Sequence, residues 1–433
     1  MSADLWLVLA AGGSIALAVV LIVRLRLHPF LALLCAALVL ATARGMDAAH
    51  TLGAVQKGFG DIMGGAGLVV ALGLTLGVML KVSGAAASLA AATVGAVGPR
   101  WRPWGCLLAA LVLGLPLFFE TGVVLLLPII AALPAMERRG RLALMLPALA
   151  GLSTLHALVP PHPGPMIAVE QMGAAVGHTL LLGVVIGLPV AVLAGPLFAR
   201  FIAQHVDVEE VDDPAPPSGP LPSPWPALGI VLLPVVLIAA KALADLRGGG
   251  GPVLALLGAP VPALLVANLA ALAVFFRRPG VDWTGLWHEA MAPAGAILLS
   301  IAAGGAFKEV LVEAGLADTL ARFAEAGAVS PILLAWGIAV MIRLATGSAT
   351  VATITASGAL AGVAPAAGVA PEYLVLAVGA GSVFFSHVND PGFWLVKNYL
   401  GTSTIGTLKT WSVLETIISV AGLALVLLAS HVF

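Results

Sequence analysis

Charge is scarce in this chain. Only 9% of its 433 residues are Asp, Glu, Lys or Arg, against about 25% in ordinary soluble domains, and that shortage excludes a water-soluble enzyme. A surplus of either sign is missing too. The 20 Lys and Arg against 21 Asp and Glu give a formal charge of −1, so no basic face is left for nucleic acid and no acidic tail for a basic partner. Cysteine occurs twice, as Cys35 and Cys106, each inside an apolar run, which rules out a disulfide framework. Residues 5–23 lack the positive flank with which a cleaved signal peptide begins and run straight into Arg24 and Arg26. The expectation is a retained first helix in a chain starting at Met1.

What is present is apolar: 61% of the residues are hydrophobic. A hydrocarbon layer about 30 Å thick takes roughly 20 apolar residues per helix, so the chain can supply about ten to twelve crossings. The expected class is an all-α polytopic membrane protein.

One segment breaks the apolar pattern. From His205 to Pro226 the chain carries Asp207, Glu209, Glu210, Asp212 and Asp213, followed by seven prolines, a composition that suits an extended, solvated linker. It separates residues 1–204 from 227–433. These halves resemble each other. The run around Gly84 matches the run around Gly315, Thr121-Gly122 matches Thr346-Gly347, Pro163-Gly164 matches Pro391-Gly392, and Thr179-Leu180 matches Thr407-Leu408. The offsets all fall between 225 and 231.

Residues 5–23, 29–43, 64–80, 142–168 and 177–199 read as crossings, with 104–136 dipping in and returning as a re-entrant hairpin. The second half then has its hairpin at about 330–361 and a broken helix at about 371–396, matching the broken helix at 142–168. An odd number of crossings per half makes the second an inverted copy of the first, as in many secondary transporters. A periplasmic N-terminus places most Arg and Lys inside, among them Arg24, Arg26, Arg100, Arg102, Arg200 and Lys397, and leaves chiefly Arg44, Lys57, Arg247 and Arg322 outside. That asymmetry favours periplasmic termini, a cytoplasmic linker and the inner membrane of a bacterium.

Polar or helix-breaking residues at membrane depth are costly unless they line protein or a wet cavity. Four places qualify. Leu115 to Gly122 joins a proline, the carboxylate of Glu120 and the pair Thr121-Gly122; its counterpart, Arg343 to Thr350, holds Thr346, Gly347, Ser348 and Thr350. In both, the Thr-Gly pair sits between half-length apolar stretches and suits a hairpin tip, whose exposed backbone N–H groups attract anions. Arg343 equally suits a side chain that snorkels to an interface. The third place runs from Gly151 to Pro165 through Ser153, Thr154, His156 and His162, with four prolines in six residues, so helix must unwind there. The fourth runs from Ser382 to Trp394 through Ser386, His387, Asn389 and Asp390. His162 and Asp390 could equally cap the broken helices. His156, His162, His387 and Asp390 are metal-ligand types, but no pair has His-x-x-x-His spacing and no metal or other cofactor is expected. An intramembrane hydrolase built on Ser153 or Ser386 would not need duplicated breaks.

At these residues the chain resembles the gluconate permease family of proton-coupled sugar-acid symporters. The likeness lies in GLPLFFETGVVLLLP (114–128), GLSTLHALVPPHPGP (151–165), ATGSATVA (345–352), FFSHVNDPGFWLVK (384–397) and TLKTWSVLETIISVAG (407–422). The resemblance implies uptake of gluconate or a related hydroxy-acid driven by protons, and a homodimer working by an elevator motion. It leaves the ligand open, since family members include carriers of D-serine and of other sugar acids.

Coupling has its own physical basis. Carrying an anion into a negative interior is opposed by about 2.3 kcal/mol per charge per 100 mV, so accumulation needs a compensating cation. The proton candidates are Glu120, His162, His387 and Asp390, with Glu120 or Asp390 favoured and His156 beside them; Na+ is the alternative ion. The substrate carboxylate is expected at amides near Gly122 and Gly347 with the Ser348 and Thr350 hydroxyls, and the substrate hydroxyls at Ser153, Thr154, His156, Ser386 and Asn389. Such positions supply both donors and acceptors. An anion channel stands further off, because duplicated interruptions favour a carrier.

Overall fold

The computed structural model describes residues 3–131, 138–208, 221–277, 282–316, 319, 330–361 and 368–432. The described residues are helical and loop, with no strand. Most of the expected linker, 209–220, lies outside them.

The chain opens with α1 (Ala3–Val23) and α2 (Pro29–Ala43), which pack on each other. Next comes α3 (Ala48–Ile62), which a π-helical turn joins to α4 (Leu68–Val82). Together they form one apolar run of 35 residues, Ala48–Val82. The crossing expected at 64–80 therefore starts about four turns earlier. Asp47 is the reason it starts there: its carboxylate accepts from the His50 amide at 2.8 Å and caps the helix. Glycines and polar residues within 48–63 hide the apolar periodicity. One of them, Gly58, permits a crossing with Gly305 so close that a Cβ would stand 2.3 Å from the Gly305 carbonyl oxygen. Small residues at such crossings are how membrane helices approach.

After α5 (Ala85–Gly95) come α6 (Arg102–Gly114), α7 (Phe119–Ala131), α8 (Arg138–Leu158), α9 (Pro163–Met172), and α10 (Val176–Val192), prolonged through a π-helical turn into α11 (Phe198–Ile202). The second half holds α12 (Pro224–Asp245), α13 (Gly251–Leu257), α14 (Pro260–Phe275) and α15 (Trp283–Glu313). It continues with α16 (Pro331–Thr346), α17 (Ala349–Ala359), α18 (Pro371–Ser382), α19 (Pro391–Leu400), α20 (Thr404–Thr407) and α21 (Val413–Val432).

Six of the described helices are long and apolar enough to cross a bilayer, or seven when α13 and α14, bent by 73°, count as one span. Trp6–Ile22 and Pro29–Ala43 are apolar but shorter. The count falls below the ten to twelve that composition permits because further apolar helices, Phe119–Ala131 and Pro331–Thr346 among them, are shorter than a full span. Large apolar side chains face outward along the spans: Val185 is 66%, Val236 57% and Leu428 61% exposed. A surface of that kind is stable only against lipid. The molecule is a multi-pass membrane protein.

Corresponding points of the two halves stop and start alike. Pro163 and Pro391 each open a helix at its first position, where the missing N–H costs nothing. Gly84 and Gly315, and Gly173 and Gly401, all have φ between +64° and +85°, a left-handed conformation that glycine adopts without penalty and that ends a helix. The first arm of each hairpin lies on the following broken helix, α6 on α8 and α16 on α18. The broken helices themselves cross at Gly379, where a Cβ would be 2.1 Å from the Ala157 carbonyl oxygen.

Candidate functional site

Both hairpins turn, but at different places. In the first, α6 ends at Gly114 and the break is at 115–118, where Pro116 lacks the N–H that would continue the ladder. The Thr121-Gly122 pair thus lies one turn inside α7 and not at the tip. The Gly122 amide is spent on the Phe118 carbonyl at 2.8 Å, and the glycine packs against Leu152. In the second hairpin the Thr-Gly pair is the tip: Gly347, at φ +72°, ends α16, and Ser348 opens α17 by accepting from the Val351 amide at 3.3 Å.

Between these hairpins, α8 and the break at 383–390 lies a cavity of about 170 Å³, lined by Phe119, Glu120, Ser153, His156, Arg343, Gly347, Ser348, Ala349, Thr350, Val383, Asp390, Pro391, Gly392, Trp411 and Glu415. It is much larger than the ~30 Å³ share of one water and below the roughly 300–1,000 Å³ of drug-sized pockets. A small solute fits that range.

Arg343 is buried, 4% exposed, which excludes snorkelling. Its Nη1 donates to the Gly347 carbonyl at 2.6 Å and its Nη2 pairs with Asp390 Oδ2, while Nε has no partner among the described residues. Asp390 is fully engaged. Its Oδ2 also accepts from the Ser386 hydroxyl, and its Oδ1 caps α19 through the Gly392 amide at 2.7 Å. The capping role anticipated for Asp390 is therefore met within the cavity wall. The Trp411 indole donates to Ser386 Oγ at 2.8 Å and its ring stacks on Phe119, centroids 5.2 Å apart. Thr350 and Ala349 occupy the first turn of α17, whose own helix offers their amides no acceptor. Arg343, Ser348, Ala349 and Thr350 therefore share one wall.

On the opposite wall, Ser153 donates to Glu415 Oε1, and His156 Nδ1 is buried without a partner. Glu120 is exposed at the cavity edge.

The remaining expected residues stand apart from the lining. Thr346 Oγ1 bonds the Ile342 carbonyl of its own helix at 2.8 Å. Thr154 is buried facing α10, its Cγ2 3.2 Å from where a Gly187 Cβ would lie. Ser386 holds Asp390, and Asn389 packs on Gly347 and donates to the Leu344 carbonyl at 2.9 Å. His387 is half-buried, with Nδ1 3.2 Å from the Phe385 carbonyl. His162 is buried 5.8 Å, ring to ring, behind His156. It opens α9 without a side-chain cap, so the capping alternative fails for it. Among the described residues no cluster of His, Cys, Asp and Glu has metal-binding geometry.

Arg343 as a wall residue, Trp411 and Glu415 are what the site adds. Glu415 had a usable signal: a lone carboxylate inside the apolar span Thr404–Val432, a placement that marks function by default.

Comparison with known proteins agrees over the full length. The family model described as GntP family permease matches residues 5–432. A gluconate permease of Pseudomonas aeruginosa is 43% identical, covering 100% of this chain and 99% of its own. The high-affinity gluconate transporter of Escherichia coli is 38% identical, covering 98% and 99%, and that organism's Gnt-II system L-idonate transporter 35%, covering 96% and 97%. Among solved structures, the Alcanivorax borkumensis YdaH transporter shares the fold with a TM-score of 0.68 at 18% identity, covering 94% of this chain and 98% of its own. The Neisseria gonorrhoeae MtrF structure follows at 0.61 and 17%, covering 88% and 84%.

Proposed function

The chain belongs to the GntP permease family, and on that premise we propose that it takes up gluconate, or a closely related sugar-acid anion, by proton symport. Its family comprises permeases, not enzymes. One observation carries the ligand class: the buried Arg343 side chain, whose Nε has no partner among the described residues, lines the same cavity as the start of α17. A carboxylate docks there, with the Ser348 and Thr350 hydroxyls. The polyol chain lies along Phe119 and Trp411 toward Ser153 and His156, which offer donors and acceptors. Glu120, open to water, and Asp390, held by Arg343, are the carboxylates that residue order alone favours for the proton; the second acts as counter-charge to the guanidinium. Names of relatives support the substrate class, gluconate in most and L-idonate in one.

The paired helix starts at Pro163 and Pro391 and the paired left-handed glycines support reading 1–204 and 227–433 as two repeats of inverted topology. The distribution of arginine and lysine supports periplasmic termini in the inner membrane. A homodimer with an elevator motion completes the proposal on family grounds.

A counterflow competition screen in proteoliposomes tests the substrate: gluconate and other aldonates should compete, and glycerate and D-serine should not. Competition by D-serine with none by gluconate overturns the sugar-acid reading. Accumulation in sodium-free buffer under a pH gradient tests the ion. A strict sodium requirement would replace the proton.

A further inference from the structure

We infer that Glu415, and neither Glu120 nor Asp390, is the seat of the transported proton. The inference rests on the proton-symport reading above and names the residue that performs it.

Three carboxylates border the cavity, and their surroundings separate them. Asp390 is committed to Arg343, Ser386 and the Gly392 amide; binding a proton there would dismantle a buried ion pair and a helix cap together. Glu120 is exposed, so water stabilises its charge whether or not an anion is bound. Glu415 is 2% exposed, receives only the Ser153 hydroxyl, on Oε1, and has no cation within ion-pair distance among the described residues. A buried carboxylate in that position is balanced only by a proton or by a cation in the cavity. Its second oxygen carries no hydrogen bond from the described residues and belongs to a side chain that lines the cavity.

The groups that face Glu415 explain how the two ligands are linked. Arg343 of α16 and Asp390 before α19 stand across the cavity, Ser153 and His156 come from α8, and Glu120 comes from α7. Arg343 and Asp390 form a pair with no net charge. An arriving carboxylate engages Arg343 and adds a negative charge in view of Glu415, and like charges in one cavity favour a proton on the carboxylate that can take one. The proton arrives from the outer solution, binds Glu415, and leaves to the inner solution after the anion. Anion and proton together move no net charge.

Helix geometry fixes the residue. A π-helical turn at Leu408–Ser412 precedes α21, and Trp411 and Ser412 both bond Ser386 in the second break. The side chain one turn on is thereby held against the site. Such turns recur at functional positions.

The test is proton uptake by purified protein in weakly buffered detergent when gluconate is added, together with uptake and counterflow in proteoliposomes. Wild type should take up protons on binding. Glu415→Gln should take up none, and its ratio of pH-driven accumulation to counterflow should fall at least tenfold. Glu313→Gln, at an exposed carboxylate away from the cavity, should keep proton uptake. Should Glu415→Gln fail to fold, Ser153→Ala, which removes the hydroxyl that Glu415 accepts from, should shift the pH of half-maximal proton uptake. Normal proton uptake in Glu415→Gln, or an unshifted profile in Ser153→Ala, overturns the assignment. Gluconate binding to wild type without proton uptake overturns it along with proton symport. Absent gluconate binding by wild type rejects gluconate as the substrate; proton uptake is then read with whichever aldonate competes, and normal uptake in Glu415→Gln again overturns the assignment.

Discussion

The two hairpins hold similar residues and use them differently. The first breaks at Pro116, buries Gly122 against Leu152, and lends the cavity Phe119 and Glu120 from the start of α7. The second breaks on the Thr-Gly pair itself, so Ser348 becomes a helix cap and Arg343, one turn before the tip, reaches across to Asp390. A small difference in the position of the break gives one hairpin a wall of guanidinium and hydroxyl groups and the other an aromatic and acidic one. The placement of one proline or one glycine decides which residues each hairpin brings to the cavity.

The largest effect that sharpens this contrast belongs to Arg343. Truncating one partner of a buried, hydrogen-bonded charge pair at a binding surface costs about 2–5 kcal/mol of affinity. Arg343→Met should accordingly weaken gluconate binding roughly 10²–10³-fold by isothermal titration, beyond any loss for Glu120→Gln. Equal losses in the two variants would break the asymmetry.

Packing gives the next test. Gly379→Ala puts a methyl 2.1 Å from a backbone oxygen and should destabilise by about 1–3 kcal/mol, seen as a lower melting temperature in detergent. Gly164→Ala, with its nearest neighbours at 3.6 Å, should change stability by no more than about 0.5 kcal/mol. The two measurements together ask whether the crossing of the broken helices is as tight as the backbone places it.

Smaller again is Ser348→Ala. Losing the hydroxyl's hydrogen bond to the carboxylate should cost about 1 kcal/mol, about fivefold in affinity, whereas Thr121→Ala, inside α7, should leave affinity unchanged. The smallest effect is His387→Ala, which should alter affinity by less than about twofold, as substitutions away from a site do.

Much of this was readable in the amino-acid order. Pro160 and Pro161 cannot continue α8, Pro163 suits the first position of a new helix, and Asp390-Pro391-Gly392 announces a cap followed by a helix start; both breaks are where those residues require them. The first tip was displaced because Thr121-Gly122 imitates the second pair, while Pro116, which ends α6, stands five residues earlier. The early start of α3 was obscured by glycines that serve the crossing with α15. Pairings over distance were beyond any local pattern. Arg343 and Asp390 are 47 residues apart, Ser153 and Glu415 262, and only the assembled bundle sets them in contact.

The Arg343–Asp390 pair bears on the journey home. A carrier that has released its cargo must bring its unloaded site back through the same electric field, and each uncompensated charge on that site would meet a barrier or a pull of about 2.3 kcal/mol per 100 mV. In the proposed carrier a guanidinium paired with its own carboxylate contributes neither, so the voltage dependence of the return step comes from the emptied Glu415 and not from this pair.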